Sequence, residues 1–216
     1  MKRLIIVCEG PTEQEFCNCV LAPHLASLNI EVVAPVVKKS NGGIVPWRSL
    51  RLQILNHLRE AGSFVTMLVD YYGIKDHFGF PGWGESLHIA DKKKRIRFLV
   101  ERMRQDVPED IRYRFIPYIQ LHEFEGLLFS DIQAFIDNFD SSEAAFDKIA
   151  EAINQFETPE EINNSPETAP SKRLLDAIPG YNKVVYGCLL AESIGLNTIR
   201  QKCPLFNEWL IVLENL

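Results

Sequence analysis

The sequence predicts an α/β fold: a mostly parallel four-stranded sheet flanked by helices, with a helical C-terminal region. Three observations carry this expectation. Residues 4–8 are an unbroken apolar run and 64–69 are apolar apart from Thr66, as in parallel strands buried on both faces. Helical stretches with one apolar side alternate with strand candidates in the order β-α-β-α-β-α-β. From Glu123 onward only helical periodicity recurs, broken by a polar stretch at 158–170.

Each element has its own signal. The first strand, 4–8, is stopped by Gly10-Pro11-Thr12. Thr12 is the expected cap of the next helix, with Glu15 at the capping-box position. Phe16, Val20, Leu21 and Leu25 line one side of that helix. Residues 30–37 form a second strand, and 38–43 a flexible polar loop. A second amphipathic helix spans 46–61, and the third strand, 64–69, ends on Asp70. Residues 71–89 form a long loop rich in Gly, Pro and aromatics; such loops inside compact domains are usually functional. A basic amphipathic helix follows at 91–105, then a fourth strand at 113–119. We expect a core over 1–140 and a helical C-terminal extension over 141–216 packed on it.

The composition is that of a globular chain: 216 residues, 46% hydrophobic, 24% charged, net charge −6. No apolar run approaches the roughly 20 residues of a membrane span, and the N-terminal run is too short for a signal-peptide core. We expect a cytoplasmic protein. The five cysteines, Cys8, Cys17, Cys19, Cys188 and Cys203, do not read as a secreted disulfide framework and lack zinc-ligand spacing. They are expected as small buried hydrophobes. The acidic balance argues against coating nucleic acid by bulk charge. A local basic surface remains available in the helix at 92–104, with Lys92, Lys93, Lys94, Arg95, Arg97, Arg102 and Arg104. It either tracks a nucleic-acid backbone or forms a solvated helix face.

Sites in parallel α/β sheets lie beyond the carboxyl ends of the strands. Strand one delivers Glu9, with Glu13 one turn further; strand three delivers Asp70; strand four is followed by His122, Glu123 and Glu125. If these strands are neighbours, Glu9, Asp70 and Glu123 or Glu125 converge. Converging carboxylates are stable mainly around a cation or with raised pKa values. Mg²⁺ held by carboxylates, water and a phosphate oxygen is standard equipment for phosphodiester hydrolysis. Glu13 is a further ligand, a water-orienting group or simply an acid favouring a helix N-terminus.

At these residues the chain resembles the Toprim domain of topoisomerases, primases and the overcoming-lysogenization-defect nucleases. Glu9-Gly10 stands for its Glu-Gly element, Glu13 for the second Glu of the nuclease branch, and Asp70 for the first Asp of its Asp-x-Asp element. More closely, the whole chain resembles a prokaryotic domain-of-unknown-function family with a Toprim-like core. The shared stretches are EGPTE (9–13), DYYG (70–73), LHEFEGLLF (121–129), INNSPETAPSKRLL (162–175), PGYNKV (179–184) and IGLNTIRQKCPLFNEWL (194–210). The resemblance implies a Mg²⁺- or Mn²⁺-dependent nuclease or phosphodiester-processing protein, acting on DNA rather than RNA in a DNA-processing or phage-defence system. It also implies an ATPase partner encoded alongside. There is one departure: the Asp-x-Asp element reads Asp70-Tyr71-Tyr72, so its second acid is missing. Asp76, Glu123 and Glu125 are the candidates to replace it.

Other polar residues complete the candidate site. Lys172 and Arg173 open a helix after Pro170, where two cations oppose the helix dipole; they read as phosphate-gripping or as a solvated basic pair. His122 reads as a base, a metal ligand or a polar residue at a strand exit. His77, Phe78, Phe80 and Trp83 either stack on bases or pin the loop. No phosphate-loop motif or nucleophile elbow occurs. The alternative function is a non-catalytic partner subunit of an ATPase. In that reading Phe206, Trp209 and Leu213 dock a partner or belong to the core.

Overall fold

The computed structural model describes residues 1–38, 43–163 and 165–216. Most of the loop expected at 38–43 lies outside them. In chain order the elements are β1 (Lys2–Cys8), α1 (Pro11–Phe16), a π-helical turn (Cys17–Leu21), α2 (Ala22–Ala26), β2 (Ile30–Val33), α3 (Trp47–Leu58) and β3 (Ser63–Asp70). Then come α4 (Trp83–Ser86), α5 (Lys92–Gln105), α6 (Glu109–Arg112), β4 (Phe115–Ile116) and β5 (Ile119–Gln120). The remainder is helical: α7 (Gln133–Asn138), α8 (Phe146–Gln155), α9 (Pro170–Ala177), α10 (Lys183–Ile194), α11 (Leu196–Lys202) and α12 (Pro204–Glu214).

The sheet runs β2-β1-β3-β4, with β5 also on β3, and every pairing is parallel. The expected fold class is therefore present: a parallel sheet of about four strands flanked by helices, Rossmann-like in layout. The expected fourth strand is split. β4 pairs Val65 with Phe115, and β5 pairs Val69 with Ile119, in the same register. Between them stands Pro117, which has no N–H to donate to the ladder.

β1 alternates its side chains between two cores. Leu4, Ile6 and Cys8 face the C-terminal helices together with Phe16, Leu190, Phe206 and Leu213. Ile5 and Val7 face α3 and α5 with Leu50, Ile54, Leu99 and Met103. Both faces of the central strand are thus covered, which is why its sequence is apolar without a break. Phe206, Trp209 and Leu213 all belong to the first core. Trp209 also reaches the sheet directly: its Nε1–H donates to Thr66 Oγ1 at 2.9 Å.

Two local expectations are corrected. Thr12 does not cap α1. Pro11 occupies the first helical position, and the Glu13 carboxylate reaches back to accept the Gly10 N–H at 2.8 Å. Two of the cysteines are not simple hydrophobes: Cys19 and Cys188 form a disulfide between the π-helical turn and α10. The signal that hid it is distance along the chain, since the pair is separated by 169 residues. Cys8, Cys17 and Cys203 are buried and free.

Candidate active site

The acids gather at the carboxyl end of the sheet. Glu9 follows β1, and its Oε2 accepts the backbone N–H of Asp70 at 2.8 Å, which ties the ends of β1 and β3 together. Asp70 in turn uses Oδ1 to accept the Phe124 N–H at 2.9 Å, fixing the segment after β5. Glu123 Oε2 accepts the Ser171 N–H at 2.9 Å, at the start of α9. Glu125 is buried and pairs with Lys183 at 2.9 Å. Gly73 is packed against the Glu9 carboxylate: a Cβ there would lie 2.9 Å from Glu9 Oε1, so a side chain at this position displaces the acid.

Electrostatics bind these groups into one unit. Burial, then the charges of Glu9, Glu13, Glu125 and Glu123, push the Asp70 acid well above the usual carboxylate range. Glu13 is pushed up to about 7, by burial first and by Glu9 and Glu125. Glu9 is raised by burial and then by Glu125 and Glu123, against the pull of the Asp70 and Ile44 backbone. Burial also raises Glu125, in spite of Lys183. Like charges held together in a poorly solvated place favour protons or a cation.

Two contributors escaped the sequence reading. Lys183 opens α10, where Asn182 caps the helix by accepting the Val184 and Val185 N–H groups at 3.1 and 3.3 Å. Burial works against the ammonium, but Glu125, Glu123 and Asp70 raise its pKa. A cation in a first helical turn opposes the dipole, the same signal that singled out Lys172 and Arg173, so it was legible at Lys183 as well. Tyr181 is the second: its hydroxyl is buried with no hydrogen-bond partner among the described residues, and Glu125 adds to the burial that lifts its pKa.

The other candidates make contacts of their own. Lys172 is exposed and makes no ion pair among the described residues. Arg173 donates to the Thr168 carbonyl at 2.8 Å and lies 5.4 Å over the Phe156 ring. Asp76, on the loop after β3, accepts the Trp83 indole N–H at 2.8 Å. The aromatic loop is pinned by packing: Trp83 on Tyr71 and Phe80 on Trp47, each 5.5 Å between centroids. Most cations of α5 are engaged: Lys93 with Glu161, Arg97 with Glu208, Arg102 with Glu85 and Arg104 with Glu101. His122 is buried, stacks on Tyr72 at 5.3 Å and lies 3.0 Å from Lys92 Nζ. Burial and Lys92 lower its pKa to about 4, against the Glu160 backbone, so its ring is neutral at pH 7.

The donor set suits a hard divalent cation. It is made only of carboxylate oxygens: Asp70 and Glu123 each give one oxygen to a backbone amide, and Glu9 accepts from the backbone of both Asp70 and Ile44. The acids stand apart: among the described residues, the one group of three metal-binding side chains with ligand atoms within 4.8 Å of one another is Cys19, Cys188 and Glu192.

A parallel α/β sheet with buried carboxylates at its strand ends is thus the class of protein that fold and site define. The family model described as "Domain of unknown function (DUF4276)" matches residues 8–214, and the chain belongs to that family. No curated protein and no solved structure matches it. Among the described residues no helix is long and apolar enough to cross a membrane.

Proposed function

We propose that this protein is a Mg²⁺- or Mn²⁺-dependent phosphodiester hydrolase with a Toprim-like site, acting in the cytoplasm on nucleic acid, DNA ahead of RNA. The single observation that carries the reading is the mutual charge of five acids, Glu9, Glu13, Asp70, Glu123 and Glu125, around the ends of β1, β3 and β5. The resemblance to Toprim nucleases at Glu9-Gly10, Glu13 and Asp70 supports it. Glu9, Asp70 and Glu123 or Glu125 would hold the cation, which when bound would supply charge for the phosphate and acidify a water. Glu13, with an acid near 7, takes or returns a proton at the working pH. Lys183 offsets charge at Glu125 and so leaves the remaining acids to the cation.

The test is cleavage of labelled DNA and RNA with Mg²⁺ or Mn²⁺. Glu9→Gln with Asp70→Asn is expected to lower the rate by at least about 10³-fold. Unchanged cleavage by that double variant would falsify the proposal.

A second reading, a non-catalytic subunit that binds an ATPase, is favoured by Tyr72 at the place of the second Asp. It is also favoured by an apolar groove of ≈ 640 Å³ between α5 and α12, lined by Ile96, Val100, Tyr113, Trp209 and Val212. Absence of both cleavage and divalent-cation binding, with stable co-purification of an ATPase, selects it.

A further inference from the structure

Beside the acids lies a second cavity, of ≈ 450 Å³, lined by Lys92, Lys93, His122, Phe156, Glu161 and Asn163. Its size falls within the range of small-molecule sites. Asn163 is 3% exposed, yet among the described residues neither its Nδ2 nor its Oδ1 has a hydrogen-bond partner. A buried amide with both functions unpaired is costly, and native proteins rarely keep one without a use. The amide offers a donor and an acceptor side by side in one plane. That is the complement of a nucleobase edge, and it is how Asn reads adenine.

The rest of the cavity suits the rest of a nucleotide. Phe156 and His122 bring aromatic rings to it, as base-binding sites do. The acids that line it are already engaged: Glu161 with Lys93 at 2.6 Å, and Asp91 with the Lys94 N–H at 3.0 Å. Lys92 has no ion pair among the described residues; its ammonium lies 3.0 Å from His122 Nε2. It stands at the first position of α5, a helix of 14 residues whose N-terminal end adds to its pull on an anion. His122 sits in the left-handed region, φ 65°, the backbone strain expected where a side chain is held for a task. The cavity also reaches the acids. His122 precedes Glu123, and it stacks on Tyr72, two residues after Asp70, at 5.3 Å.

We propose that this cavity is a nucleotide subsite: Asn163 takes the edge of one nucleobase, and Lys92 its phosphate. The inference deepens the phosphodiester reading and rests on it for the claim that the bound nucleotide belongs to the substrate. The base is either part of a strand or a free nucleotide, and the two share this chemistry.

The test uses the full chain in EDTA, so that binding is read apart from cleavage. The probes are adenosine 5′-monophosphate, a short single-stranded oligodeoxyadenylate and ribose 5-phosphate. Saturable binding tighter than ~1 mM is expected for at least one of the first two. Ribose 5-phosphate is expected to bind at least about tenfold more weakly, for want of the base. Asn163→Leu and Lys92→Met are each expected to weaken binding at least about tenfold. Strand binding alone assigns the subsite to a polymer; binding of the monophosphate assigns it to a nucleotide unit as such. Asn163→Leu is also expected to melt at or above the native temperature, since it removes an unpaired buried amide. No saturable binding of either probe, native affinity in both variants, or a markedly lower melting point for Asn163→Leu overturns the proposal. Native protein that binds nucleotide but cleaves nothing sinks the phosphodiester reading and leaves the subsite standing.

Discussion

Two buried acids in this molecule share a pKa and nothing else. Glu13 and Glu160 are each pushed up to about 7, and burial is the largest cause in both. Glu160 stands by itself beneath α12. Its two oxygens accept the Leu205 and Phe206 N–H groups at 3.0 and 2.9 Å, so it closes the open start of that helix. Glu13 makes one backbone hydrogen bond, to Gly10, and otherwise faces Glu9 and Glu125. A raised pKa therefore does not mark a working acid. The partners do: a carboxylate saturated by amides holds structure, whereas one crowded by its own kind has room for a cation.

The largest expected contrast is with divalent metal. Mg²⁺ at a hundredfold excess over its Kd is expected to stabilise the native protein by about 2.7 kcal/mol in thermal melts. Glu9→Gln with Asp70→Asn is expected to abolish that gain; Glu160→Gln is expected to retain it. Glu160→Gln carries the second effect. Its amide presents a donor to an N–H of α12, and the protein is expected to lose about 2 to 3 kcal/mol with or without metal. An equal response of the two variants to Mg²⁺ removes the distinction.

The third contrast is with pH. For both acids the folded pKa, about 7, lies above the ordinary glutamate value of 4.5. Below 4.5 both states carry the proton; as pH rises the unfolded chain ionises first, so metal-free stability falls between about 4.5 and 7. Mg²⁺ is expected to flatten the part due to Glu13, and Glu160→Gln to remove the other part. Melts across pH with and without Mg²⁺ separate the two. The smallest effect is Lys183→Met. Lys183 is partly exposed, so its loss is expected to cost about 1 kcal/mol without metal, and less when a cation shares the load on Glu125.

Much of this was legible in the sequence because the strands are buried on both faces. That burial leaves a largely apolar run, and the residue ending the run, Glu9 or Asp70, stands at the sheet's carboxyl end. The split of the fourth strand was visible in Pro117. What the sequence hid depends on contacts between distant segments. Cys19 and Cys188 look unrelated until α10 is laid against the π-helical turn. Lys183 and Tyr181 flank a helix start whose neighbour, Glu125, lies on a different element. Asn163 could not be found from its neighbours in the chain, since its meaning is the absence of any partner among the described residues.

The pairing of Glu125 with Lys183 also sets an order of events during synthesis. The segments bearing Glu9, Glu13, Asp70 and Glu125 leave the ribosome well before α10, and α10 both packs on α1 and brings the ammonium. Until then the growing chain carries these acids without the ammonium that pairs with Glu125. A chain stalled short of Lys183 therefore has every proposed ligand and lacks that counter-charge.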